Sequence, residues 1–205
     1  MSDIQTVVDA MNKKGFEAQI ARDAEEARNM VLAIIGEDES VGVGGSMTLE
    51  ETGIFDALVA RGNTMFSSTL AKRKGEDKDQ ARQDGMNADV YLSSTNAVTM
   101  AGDLINIDGV GNRVAGMFYG PSKVVIVSGK NKITANPMTA VTRIKTVSCP
   151  QNARRLGRST PCALTGKCGD CDDPAERMCN VTTRIQRPTV GKQIYMVLID
   201  GDFGY

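Results

Sequence analysis

Lys123-Val-Val-Ile-Val-Ser-Gly-Lys-Asn-Lys132 reads as a buried β-strand that ends in a polar, lysine-bearing loop. Its consecutive β-branched residues offer apolar surface to both sides, which suits a strand covered on two faces. A helix is expected after it, over residues 137–147. Upstream, Ile4, Val7, Val8 and Met11 recur at helical spacing, and Gly15 supplies a stop. A strand over 16–20, a helix over 24–35 and a strand entering the glycine-rich turn Val41-Gly-Val-Gly-Gly-Ser-Met-Thr48 follow. Thr48, with Glu51 three residues on, is placed to cap a helix running to Arg61. Further strands are expected over 63–67 and 88–93, with an exposed helix or lid over 71–83. A hairpin over 96–108 turns at Ala101-Gly-Asp103, and a last strand runs from Gln193 to Ile199. Alternating strands and helices predict an α/β fold with three layers, α/β/α.

The composition narrows the function. With 24 basic and 25 acidic residues there is no electrostatic case for nucleic acid or an anionic membrane surface. Aromatic residues make up only 4% and there is no Trp, so base-stacking platforms are not expected either. No apolar run reaches bilayer length, and the amino terminus lacks the pattern of a secretory signal. A cytoplasmic protein is therefore expected. The chain has no histidine, which excludes imidazole bases and leaves acid–base work to Asp, Glu, Lys, Tyr or Cys.

Residues 151–182 differ from the rest of the chain. They are rich in Arg, Gly, Pro, Cys and Asp and lack apolar periodicity, so they need an external constraint to become ordered. The spacing Cys162-x5-Cys168-x2-Cys171-x7-Cys179 supplies one. Four thiolates suit either a [4Fe–4S] cluster or a tetrahedral zinc, and the irregular gaps favour the cluster. The chain is thus expected to be one domain over 1–205, with 151–182 a metal-binding insertion before the last strand. Cys149 stands outside this pattern and reads as a packing residue.

Two other stretches carry chemistry. The turn holding Gly44, Gly45, Ser46 and Thr48 offers backbone amides to a carboxylate or phosphate. Asn96, Asp103, Asn106, Asp108, Asn112 and Arg113 cluster in and after the hairpin. They offer carboxylates for proton transfer and an Arg for an anionic partner. Lys130 and Lys132 follow the core strand, where α/β sheets place ligand contacts, although a solvated loop is the alternative reading.

Taken together, Gly42-Val-Gly-Gly-Ser-Met-Thr-Leu-Glu-Glu51, Ser94-Thr-Asn-Ala97, Asn106-Ile-Asp-Gly-Val-Gly-Asn-Arg-Val-Ala115, Gly120-Pro-Ser-Lys-Val-Val125 and Gly129-Lys-Asn-Lys132 resemble the LUD domain of lactate-utilisation proteins. The resemblance is closest to a short branch that carries the four-cysteine motif. It implies the fold shared by ribose-5-phosphate isomerase, glucosamine-6-phosphate deaminase and CoA transferases (the NagB/RpiA/CoA transferase-like fold). It also implies an anionic ligand on the loop from Gly42 to Thr48, with Asp103, Asp108 and Lys132 on the same side of the sheet. Better-known members take part in oxidising L-lactate within an iron–sulfur system. The implied function is an iron–sulfur protein of lactate or hydroxy-acid utilisation, with a small anionic molecule and other redox subunits as partners. An isomerase-like enzyme with Asp108 as base and Lys132 steadying an enolate, or a non-catalytic accessory subunit, are the alternatives. A homo-oligomer is left open.

Overall fold

Strand Lys123–Gly129 does stand near the middle of a parallel sheet, and the other elements follow from that position. The computed structural model describes residues 3–169 and 171–205. In chain order, the first half comprises α1 (Asp3–Lys13), β1 (Glu17–Ala21), α2 (Ala24–Ile34), β2 (Val41–Val43), α3 (Met47–Glu51), α4 (Ile54–Arg61) and β3 (Met65–Ser67). Then come α5 (Ser68–Lys74), α6 (Lys78–Met86), β4 (Val90–Ser93), β5 (Ala97–Thr99), β6 (Leu104–Asp108), α7 (Asn112–Phe118) and β7 (Lys123–Gly129). The chain closes with β8 (Ile133–Thr134), α8 (Pro137–Arg143), α9 (Cys149–Arg155), α10 (Pro161–Thr165), β9 (Val181–Ile185) and β10 (Gln193–Ile199).

Among the described residues, six strands form one sheet in the order β1-β10-β7-β4-β2-β3, with every pairing parallel. The period-two alternation of β7 explains its apolar run. Val124 and Ile126 join one core with α1, Tyr91 and Met117, whereas Val125 and Val127 join the opposite core with α2, Leu49, Ile54 and Leu58. β10 divides in the same way, with Ile194, Met196 and Leu198 on one side and Val197 and Ile199 on the other. Helices therefore cover both faces, as a three-layer α/β/α fold requires. No helix among the described residues is long and apolar enough to cross a membrane.

A second, smaller sheet has the order β8-β5-β6-β9. The expected hairpin is its centre: β5 and β6 are antiparallel and turn through Gly102, whose φ is +79°. Ala97, Ile105 and Ile107 pack on Ala140 and Ile144, so the small sheet is covered by α8 and the turn after it.

Four local expectations are corrected. The helix expected from Thr48 to Arg61 is two, because Gly53 sits at φ +68° between α3 and α4. Its cap is Ser46, whose hydroxyl accepts from the Leu49 amide at 3.3 Å; Thr48 turns elsewhere. The polar stretch over 71–83 is likewise two helices, parted at Gly75. Lastly, helix α9 continues to Arg155, past the expected start of the cysteine-rich insertion. Pro150 is tolerated there because it falls in the first turn of α9, directly after a π turn at Ile144–Ser148. β9, which was not expected, returns from the cysteine segment along β6 before β10 begins.

Helix α6 lies close to β2 because both backbones are bare at the crossing. A Cβ on Gly42 would run into the carbonyl group of Gly85, while one on Gly45 would meet nothing within 4 Å. Gly42→Ala is therefore expected to lower stability by about 1–3 kcal/mol, and Gly45→Ala to stay within about 0.5 kcal/mol. Denaturant melts of the two variants check this, and equal midpoints would refute the close-approach reading.

Candidate functional site

β7, β4 and β2 are neighbours and run parallel, so their carboxyl ends meet at one edge of the sheet. The three loops leaving those ends are Gly44–Ser46, Ser94–Asn96 and Lys130–Lys132. This is the edge where α/β sheets bind ligands. They border a cleft of about 830 Å³ whose lining includes Gly45, Ser46, Ser94, Asn96, Asp108, Asn112, Arg113 and Lys132. Apart from Asp108, its charged lining among the described residues is basic. Lys72, Lys78 and Arg82 come from α5 and α6, Arg113 and Lys132 lie at the sheet edge, and Arg155, Arg158 and Arg177 lie towards the cysteine segment.

Lys132 is the most unusual of these groups. It is 3% exposed, and its ammonium donates to Thr48 Oγ1 at 2.7 Å and Ser94 Oγ at 3.1 Å. No carboxylate among the described residues forms an ion pair with it. Burial, reinforced by the Arg143 and Arg113 charges, brings its pKa down to about 7, with only Glu51 acting in the opposite sense. Such a group gains an ordinary charge once an anion enters beside it.

Arg113 is fully engaged by partners within the protein. Its Nε donates to Asp108 at 3.0 Å, Nη1 to Asn106 Oδ1 at 2.8 Å and the Ser94 carbonyl at 3.1 Å, and Nη2 to Asn96 Oδ1 at 2.9 Å and the Ile107 carbonyl at 3.1 Å. A guanidinium has five N–H donors, and all are engaged. Asn96 and Asn106 are held in the same lattice: Asn106 Oδ1 accepts from the Asn96 amide and Asn96 Oδ1 from the Ile107 amide, each at 3.0 Å. Arg113, Asn96 and Asn106 thus brace the cleft wall.

The two expected carboxylate bases lie in different surroundings. Asp108 lines the cleft, but Oδ1 accepts from the Val110 and Gly111 amides and Oδ2 from Arg113. It positions Arg113 through this contact. Asp103 is 1% exposed and lies outside the cleft lining, between Lys14 at 2.5 Å and Arg184 at 2.6 Å. It begins the second arm of the hairpin, which turns away from the sheet edge, so it is a buried ion-pair centre. Asn112 opens α7 on the cleft wall. The Gly44 backbone packs so tightly that a Cβ would press on Arg113, Ser93 and Tyr91.

Two cleft-edge residues were not among the expected site residues. Ser94 could have been found from its place directly after a strand end. Arg143, which donates to the Asn131 and Asn96 carbonyls at 3.0 Å, lies on α8 with no sequence signal at all.

The cysteine segment packs beside this cleft. The Asn180 amide donates to the Asp108 carbonyl at 3.0 Å, and Arg177 donates to the Cys171 and Cys179 carbonyls. Cys162 is buried in α10, Cys168 is exposed, and Cys171 and Cys179 are half-buried. Asp170, between Cys168 and Cys171, lies outside the described residues. No three Cys, Asp or Glu side chains among the described residues converge as a metal site. Two thiols do meet: Cys149 Sγ, at the start of α9, is 3.4 Å from Cys179 Sγ. That hydrogen bond and burial push the Cys149 thiol far up, helped by Cys162 and Cys168; burial and then Cys162, Cys179 and Cys168 raise Cys171. Cys149 and Cys179 are thus in direct contact. As thiolates they would repel one another, and such a sulfur-rich donor set fits a thiophilic metal centre. Cys162, Cys168, Cys171 and Cys179 could hold it.

The fold has a solved counterpart. A DUF162 family protein from Deinococcus radiodurans matches with a TM-score of 0.53 and 13% identity, over 97% of this chain and 99% of that one. Among curated proteins no sequence match is found. The LUD domain model matches residues 4–199, and the chain belongs to the LUD domain family.

Proposed function

We propose that the protein binds a small hydroxy-acid anion of the lactate class in the cleft at the ends of β2, β4 and β7. We further propose that it carries an iron–sulfur cluster on Cys162, Cys168, Cys171 and Cys179, and so serves lactate or related hydroxy-acid utilisation. The observation that carries this reading is Lys132, a buried ammonium flanked by the Thr48 and Ser94 hydroxyls and facing a basic cleft. An incoming carboxylate supplies the missing counter-charge, and hydroxyl groups at the same point suit an α-hydroxy or α-keto neighbour. A cluster, when bound, exchanges single electrons, and partner iron–sulfur or redox subunits would carry them onward. The isomerase-like alternative is weakened because Asp108 has its oxygens engaged by Arg113 and two amides.

Three measurements bear on this. Thermal melts with L-lactate, pyruvate and inorganic phosphate should show stabilisation of about 2.7 kcal/mol at a hundredfold excess over Kd, and Lys132→Met should abolish it. Lys132→Met should itself fold well, because it removes a buried charge that lacks a carboxylate partner. Undiminished binding by this variant would sink the anion reading.

The affinity should also depend on pH. Lys132 in the free protein loses its charge above about pH 7, so anion binding must then take up a proton. It is expected to weaken by about tenfold per pH unit from there. Without ligand the trend reverses. The folded pKa lies below the usual lysine value, so the unfolded chain holds the extra proton between about 7 and 10.5, and the Lys132 contribution to stability rises across that window. Affinity that is flat from pH 6 to 9 (about three decades in proton concentration) would remove Lys132 from the site.

Finally, protein purified without oxygen should be brown, absorb at about 400 nm and contain iron and sulfide in equal amounts. A colourless protein with one zinc would overturn the cluster.

A further inference from the structure

Lys14, Lys123 and Lys130 each end on a carboxylate, from Asp103, Glu39 and Asp200 respectively. An ionised carboxylate only accepts hydrogen bonds, so these partners hold their lysines as ammonium donors. Lys132 differs. Its partners, Thr48 Oγ1 at 2.7 Å and Ser94 Oγ at 3.1 Å, are hydroxyls, which accept from an ammonium or donate to the lone pair of a neutral amine. Thr48 donates to the Phe203 carbonyl at 3.2 Å. Ser94 has only longer alternatives, the Thr95 carbonyl and Thr48 Oγ1, each at 3.3 Å, so its hydrogen is the one that can turn to the nitrogen. Lys132 is buried, yet it lines the cleft. Burial and the Arg143 and Arg113 charges leave a share of it neutral near pH 7. A desolvated lysine beside cationic groups is the setting in which an amine becomes a nucleophile. The chain has no histidine, and Asp108 is engaged by Arg113 and two amides.

Resting on the anion reading of the cleft, we propose that Lys132 is its covalent nucleophile and captures the carbonyl carbon of an α-keto acid as an imine, with Ser94 relaying the proton. The amine lone pair forms the N–C bond while the C–O π bond opens, giving a carbinolamine. Ser94 takes the proton released by the nitrogen and passes one to the oxygen, which leaves as water when the C=N bond forms. The step consumes no oxidant or reductant, and water is its only by-product. When protonated, the imine keeps a positive charge beside the carboxylate of the ligand, so the charge pairing of the anion site survives the reaction.

The test incubates the intact chain at pH 7 with pyruvate and cyanoborohydride, which adds hydride to a protonated imine and fixes it as a secondary amine. Peptide mass mapping then locates the adduct. An ordinary lysine is neutral at pH 7 in roughly one molecule in 2,500. Lys132 should therefore be labelled about tenfold or more faster than the exposed Lys72 and Lys78 of the same cleft. L-Lactate has no carbonyl, so it should leave no adduct and, in excess, should protect Lys132 from pyruvate. Ser94→Ala should still be stabilised by pyruvate in thermal melts but form the adduct about tenfold more slowly, and an unchanged rate would overturn the relay. Stabilisation by pyruvate with no adduct on Lys132 would overturn the imine and leave the anion site standing. Labelling spread evenly over exposed lysines would overturn it as well. Neither stabilisation nor adduct would overturn the anion reading itself.

Discussion

The cleft depends on one guanidinium. Arg113 reaches from α7 to the loop after β4 and to three successive residues of β6, and each of its N–H groups ends on an oxygen. A half-exposed arginine bonded this way would be unremarkable, but here the group is largely buried beside a partly buried carboxylate. Removing either partner would leave an uncompensated charge, which is among the costlier defects a fold can carry. The arrangement joins the small antiparallel sheet to the large parallel one at the place where the ligand would enter.

Lys132 illustrates the opposite condition. Arg113 has its carboxylate, whereas Lys132 has only hydroxyls, and the arginines around it add like charge. Its burial comes from the sheet: β7 is covered on both faces, so the short turn that follows it is carried inward against β2 and β4. On the reading proposed above, an incoming anion would complete the electrostatics at Lys132, in contrast to a structural ion pair such as Asp103 with Lys14 and Arg184.

The cysteine segment couples to this edge through Asn180, whose backbone amide donates to the Asp108 carbonyl and whose side chain donates to the Gly109 carbonyl. It is therefore an extension of the cleft wall rather than a separate appendage. The strand that follows it, β9, pairs with β6, so the order of the segment and the order of the hairpin are linked.

Much of the fold was legible in the residues because periodicity is local. The apolar run of β7, the amphipathic spacing of α1 and the turn at Gly102 each follow from nearest-neighbour geometry. The helix breaks at Gly53 and Gly75 were less legible, since a glycine within a helical pattern does not announce a left-handed backbone. β9 was missed although Val-Thr-Thr-Arg-Ile is rich in β-branched residues, because its mostly exposed side chains show no apolar alternation. At the site, the sequence alone determined that Gly45, Ser46, Thr48 and Lys132 would follow strand ends. Only the tertiary structure decided that Thr48 would bond to Lys132, that Arg113 would use every donor on its own protein, and that Cys149 would meet Cys179. Those outcomes depend on which strands become neighbours, and hydrogen-bond partners distant in sequence are chosen by that packing rather than by local pattern.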